Sequence, residues 1–429
     1  VLPVARDLQL TPDYWLAKLT LKDKAIPSRF VPRDGWTSSN QTLFSLSESM
    51  CSGKAVADSI KQLSRLPNYP LYNDHGACVE QTQLESIRRN SAIDTLPDQL
   101  ARRYALVIKR ADLRRFPDAH PVYSRADEAL IDRFQESALF PGDPVCILHH
   151  SRDRAWCYVA SPNYTAWISK TRLAIGSSAQ VRNYIRRRPV RVITGSTVHT
   201  VYTPLRPALS QLQLDMGVRL PLRLDWPLLA PVNGQLGVSS WIVNFPVKNS
   251  AGRLGFAPVL LPRSADTAAD YLPLSATHVI RQAFKFLGER YGWGHRFNAR
   301  DCSGFVGEIY RSMGITLPRN TGEQAQCPHL ASVYWPVSKN LRARLAALRA
   351  LRVGDLVYIP GHVMLVIGHD RGLTWVIHDI ARATYRDSKG RFTQAAFNGV
   401  VVTPLERLYL DADTRYVERI TAIKRVIPE

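Results

Sequence analysis

Long apolar runs, closely paired cysteines and acidic residues are all scarce in this chain of 429 residues. No stretch approaches the roughly 20 apolar residues that a membrane-spanning helix needs, which excludes a helical span. The six cysteines (Cys51, Cys78, Cys146, Cys157, Cys302 and Cys327) include no CxxC pair, which argues against a structural zinc site. Cys146 with Cys157, and Cys51 with Cys78, are candidate disulfides for an oxidising compartment. Spacing does not choose their connectivity, and Cys302 and Cys327 would then be left as thiols. Acids are outnumbered, 36 Asp+Glu against 56 Lys+Arg, for a net charge of +20. That excess suits an anionic partner such as nucleic acid, a membrane surface or an acidic wall polymer. Only YIRRRPVR (184–191) is a tight basic run. It comes with no zinc-finger spacing, RNP motif or aromatic–basic stripe, so nucleic acid is not the expected partner, and a solvated basic surface accounts for it. The opening VLPVARDLQL has neither Met nor a secretory h-region, as in a mature form after signal removal or a trimmed chain.

With 45% hydrophobic and 21% charged residues, a well-packed fold is expected, and the length suggests about three domains. Residues 1–103 mix short helical patterns, TPDYWLAKL (11–19) and SGKAVADSIKQLSRL (52–66), with Pro- and Ser-rich loops. They read as an N-terminal cap, mostly helical or irregular. From 104 the texture changes to short β-runs separated by turns, a rhythm that predicts two small barrels in tandem over 104–176 and 177–265. RSADTAADYLPLSA (263–276) reads as a linker. The last domain, 266–429, has helices first and a meander of strands after them, an α+β arrangement.

Cys302 sits at the N-terminal edge of a predicted helix whose apolar face is Phe305, Val306, Ile309, Tyr310 and Met313, with Gly314 as its C-cap. A core cysteine is the plain alternative, but a helix start favours negative charge and is expected to lower a thiol pKa. A nucleophilic cysteine needs a base. His362 begins one predicted strand and His378 lies near the end of the next. A hairpin loop centred on Asp370 would set the two opposite each other on one face, and a one-residue slip would separate them. One imidazole would take the thiol proton while the other orients it. Cys327 with His329 is too close in sequence for a standard dyad, and His149 and His150 read as structural or surface residues. A metal held by Cys302, His362 and His378 would quench the nucleophile and has no carboxylate behind it, so no metal or cofactor is expected.

YGWG (291–294), RDCSGF (300–305), GDLVYIPGHVMLVIG (354–368) and VIHDI (376–380) together resemble the NlpC-type, papain-like cysteine peptidases that cut bacterial cell-wall peptides. DLRRFP (112–117) and residues 137–168 resemble the SH3-like module attached to some members. The resemblance implies a multi-domain chain with a papain-like α+β catalytic domain, two SH3-like barrels and an N-terminal cap. It implies Cys302 as nucleophile, His362 as base and His378 as the orienting third member. It implies that Tyr291 lines the site, that Asp301 and Ser303 meet the free amino end of a wall peptide, and that Tyr164 and Asp143 of the first barrel contact substrate. The expected substrate is the γ-D-glutamyl bond before the diamino acid of a peptidoglycan stem, and the expected place of action is periplasmic or secreted. A wall-binding protein without catalysis, or an amidase or acyltransferase on the same scaffold, are the alternatives. The family often has two glycines after the tryptophan, where this chain reads Gly294–His295.

Overall fold

In a computed structural model, residues 6–20, 43–227, 229–336, 340–387 and 389–427 are described; residues 1–5 and 21–42 of the expected N-terminal cap lie outside them. The chain divides into two compact units that do not follow chain order. The first takes the described residues of Val1–Trp36, Tyr271–Gly292 and Asn298–Glu429; the second takes those of Thr37–Asp270 and the loop Trp293–Phe297.

The first unit is built on a six-stranded antiparallel sheet. Its strand order is Ala331–Ser332, Ala422–Arg425, Asp355–Ile359, His362–Asp370, Leu373–Arg386 and Phe392–Pro404. One face buries Val357, Ile359, Met364, Val366, Val376 and Ile380 beneath Leu405 and Tyr416. The helix Cys302–Arg311 packs on the sheet through the strands His362–Asp370 and Leu373–Arg386. Its sequence dictates both ends: Asp301 caps the start by accepting the Gly304 N–H at 2.8 Å, and Gly314 takes a left-handed φ of 79° after the last turn.

The strands His362–Asp370 and Leu373–Arg386 are joined by the two-residue turn Arg371–Gly372, both at positive φ (50° and 75°), a combination that matches the right-handed twist of a hairpin. Gly368 sits at a bulge in this hairpin, where an added Cβ would stand 3.1 Å from the Trp15 ring. Trp15, 1% exposed, belongs to a short N-terminal helix, Pro12–Leu16. Its indole donates to the Gln9 carbonyl, Gln9 donates to Asp370, and Lys18 pairs with Asp370 at 2.9 Å. The N-terminal segment thereby braces the hairpin tip.

The second unit contains a seven-stranded antiparallel sheet in the order Gln135–Leu139, Ala111–Arg114, Thr165–Ser169, Trp156–Ala160, Pro144–His150, Arg103–Val107 and Leu173–Gly176. Among the described residues no ladder joins its first strand to its last, so this sheet is open rather than a closed barrel. The helix Gly53–Leu63 buries Val56 and Ile60 against Tyr158 and Trp167 of this sheet. Beyond residue 177, where a second barrel was expected, three small sheets surround Leu214, Val218, Phe245 and Leu261. All six cysteines are free. Cys146 and Cys157 lie on adjacent strands but oppose Ala160 and His150, so they do not face each other. No described helix is long and apolar enough to cross a membrane.

Candidate active site

Cys302 opens its helix and is 6% exposed. Its sulfur lies 4.0 Å from the Gly361 carbonyl oxygen and accepts the Val363 N–H. The backbone on both sides of His362 therefore touches the nucleophile candidate. His362 Nε2 is 2.8 Å from His378 Nδ1, and His378 Nε2 is 2.9 Å from the Thr403 hydroxyl. The Tyr416 ring stands edge-on to His362, 6.4 Å between centroids.

The histidine contact arises from a different register than expected. Leu365 opposes Ile377 and Val366 opposes Val376. Continued, that register sets His378 across from Met364 rather than His362. The turn lies beyond Asp370 and the bulge at Gly368 takes back one residue, so the net displacement is two. An even displacement keeps both rings on one face, and long side chains reach diagonal neighbours.

Electrostatically the site is a resting, neutral one. Burial, then the nearby Asp301 charge, push the Cys302 thiol up to about 12, opposite to the lowering expected from the helix start. Burial pulls His362 down to about 4 and His378 well below the usual imidazole value. Desolvation of the charged forms outweighs the dipole here.

Tyr291 is mostly buried; its N–H donates to the Asn398 carbonyl, and burial, then Cys302 and Asp301, push its hydroxyl upward. Asp301 and Ser303 are brought beside Cys302 but are already engaged. Arg319 donates to Asp301 Oδ2 at 2.8 Å and to Ser303 Oγ at 2.7 Å, and Ser303 Oγ donates to Asp301. Tyr164 and Asp143 belong to the second unit. There the Tyr164 hydroxyl donates to Glu136 at 2.5 Å and Asp143 accepts the Phe140 N–H in a turn. His295 also belongs to that unit. It holds a left-handed φ of 65°, which a glycine adopts without penalty, its ring meets Phe140 edge-on, and its carbonyl accepts from Arg110 at 2.8 Å.

Three participants escape a sequence reading. Arg319 follows Pro318 in a loop with no periodicity, and Asp379 is a strand residue whose two buried carboxylate oxygens have no hydrogen-bond partner among the described residues. Thr403 is the third. The one available signal was its hydroxyl interrupting the run VVVTPL. Among the described residues no group of three His, Cys, Asp or Glu is arranged to hold a metal.

Residues 288–402 match the NlpC/P60 family, and residues 121–169 match the SH3 domain of SH3b1 type. The chain is 45% identical over 47 residues to a probable endopeptidase p60 of Listeria seeligeri, covering 11% of this chain and 9% of that one. It is 26% identical over 157 residues to a probable endopeptidase of Corynebacterium glutamicum, covering 36% of this chain and 64% of that one. It thus spans less than two thirds of either relative. An NlpC/P60 endopeptidase from Photobacterium damselae subsp. piscicida superposes over 92% of this chain and 90% of its own, with a TM-score of 0.71 at 16% identity. An NlpC/P60 family protein from Bacillus cereus superposes over 76% and 100%, with a TM-score of 0.52 at 20% identity. At these identities the likeness is one of fold. The chain is accordingly a multi-domain, mixed α/β protein that carries an NlpC/P60 domain of papain-like fold together with an SH3 domain of SH3b1 type.

Proposed function

We propose that this chain is a cysteine endopeptidase acting on the stem peptides of bacterial peptidoglycan, at the bond between γ-D-glutamate and the diamino acid. The observation that carries this reading is the His362–His378 contact of 2.8 Å beside a helix-start cysteine whose sulfur rests on residues 361 and 363. With His362 Nε2 engaged by His378, Nδ1 is the nitrogen left for the thiol. Cys302 transfers its proton to His362 as its sulfur attacks the scissile carbonyl, and the developing oxyanion is held by N–H groups of the first helical turn. His362 then protonates the leaving amine, and water releases the peptide from the thioester. Tyr291 is assigned to the lining of the site near the nucleophile, and Asp301 and Ser303 to the substrate's amino end; Asp301 would do so as a carboxylate shared with Arg319. The family match supports action at the cell envelope.

Digestion of purified muropeptides followed by mass spectrometry tests the reading. New amino termini on the diamino acid, absent with Cys302→Ala, are expected. Equal cleavage by Cys302→Ala would sink the nucleophile assignment. A freed lactyl group or a transferred acyl chain would show an amidase or acyltransferase instead, and wall binding without any cleavage would leave a binding protein.

A further inference from the structure

Thr403 and His378 are both 0% exposed, and the Thr403 hydroxyl lies 2.9 Å from His378 Nε2. Thr403 stands opposite Val376 in the sheet, on the apolar face that also holds Leu405. Valine has nearly the same shape and would fill that position without a polar group to satisfy. A buried hydroxyl is tolerated only when it is hydrogen-bonded. Among the described residues the Thr403 hydroxyl has one side-chain partner, His378 Nε2.

The protons along this chain of contacts are linked, because each neutral imidazole carries one N–H. If His378 holds its proton on Nε2 and donates to Thr403, its Nδ1 accepts the His362 Nε2–H. His362 Nδ1 then keeps a lone pair and can take a proton. If Thr403 donates instead, His378 holds its proton on Nδ1 and donates to His362 Nε2. His362 Nδ1 then carries the hydrogen and cannot act as a base. After His362 has taken the thiol proton both of its nitrogens carry hydrogen, and only the first order accommodates that state.

We propose that Thr403 is a positioning residue: by accepting from His378 Nε2 it holds the His362–His378 pair in the order that leaves His362 Nδ1 free to take a proton. This rests on the assignment of His362 as the base toward Cys302. Thr403 touches neither substrate nor thiol in this role; it acts through His378 on the tautomer of His362 and on the stability of the imidazolium that forms during attack.

The test uses the full chain with Thr403→Val and Thr403→Ser, and L-Ala-γ-D-Glu-meso-diaminopimelate as the probe peptide. Thr403→Val is expected to lower kcat about ten- to a hundredfold with KM within about twofold, the loss of one buried charge-assisted hydrogen bond. Thr403→Ser, which restores the acceptor, is expected to stay within about threefold of the parent. Nitrogen-15 NMR of the histidine rings, without peptide, should show His378 Nε2 protonated in the parent and Thr403→Ser, and shifted toward the unprotonated position in Thr403→Val. Should Thr403→Val not fold, Thr403→Ala carries the same comparison. Parent-like kcat in Thr403→Val, an equal loss in Thr403→Ser, or an unchanged His378 ring in Thr403→Val would each overturn the proposal. The ring measurement needs no turnover. If the parent left the peptide intact, that would count against the peptidase reading, while the NMR would still decide the role of Thr403.

Discussion

His362 Nε2 and His378 Nδ1 stand 2.8 Å apart although the two residues are not opposite one another in their hairpin. The contact is diagonal, which sets the second ring beside the far nitrogen of the first. His378 can therefore hold His362 without competing for the nitrogen left to the thiol.

That arrangement predicts a graded response at position 378. His378→Ala removes the acceptor for His362 Nε2–H and should lower kcat by about 10²-fold or more with little change in KM. His378→Asn keeps an amide oxygen that can accept the same hydrogen and should lose less than His378→Ala. Steady-state kinetics on the stem tripeptide check the order of the two.

The neutral resting site predicts a broad pH profile. His362 must be unprotonated to act, and burial holds it near 4, so kcat/KM should fall only as the pH drops toward that value. The thiol, pushed up to about 12, gives no alkaline limb below that region. A plateau from about pH 6 to 9 is expected. A steep alkaline loss near pH 8 would point instead to a preformed thiolate–imidazolium pair.

Much of this site is legible in the sequence, and its misreadings have specific causes. The helix from Cys302 to Arg311 follows from the spacing of Phe305, Val306, Ile309 and Tyr310 and from Asp301 and Gly314 at its ends. The shared face of His362 and His378 follows from strand alternation. Their exact register does not, because it depends on a turn at Arg371–Gly372 and on a bulge at Gly368, a position packed by a tryptophan as distant in sequence as Trp15. The direction of the thiol shift is not legible in the sequence, because a helix dipole is visible there while desolvation appears only with packing. Strand rhythm revealed the β character of residues 104–265, but not whether ladders close.

Asp379 supplies a stability test. Burial, then the charges of Asp301 and Glu289, hold its carboxyl well above the usual range. The folded state therefore binds this proton more tightly than the unfolded state does. Stability falls as pH rises from the ordinary carboxylate value toward the folded one. Asp379→Asn removes that slope. Its thermal midpoint relative to the parent should rise from pH 5 to pH 8, and a constant difference would refute the assignment.

Arg319 donates to both Asp301 oxygens and to Ser303, with all three residues buried. Arg319→Met leaves the Asp301 charge buried without its ion pair, and should cost about 3–5 kcal/mol. Asp301→Asn combined with Arg319→Met should cost less than Arg319→Met alone. Urea unfolding followed by far-UV circular dichroism distinguishes these outcomes.

The brace at the hairpin tip has a consequence for how the chain is made. Trp15 rests on Gly368 and Trp375 with nearly the whole polypeptide between them, whereas the second unit is drawn mostly from one continuous span. During synthesis that span can begin to collapse while the first unit still lacks its sheet, and the N-terminal helix must wait for its dock. A fragment starting at Tyr271 would carry every residue assigned to catalysis yet lack the Trp15 ring that packs at Gly368. It should fold more slowly and aggregate more readily than one to which residues 6–20 are supplied as a separate peptide.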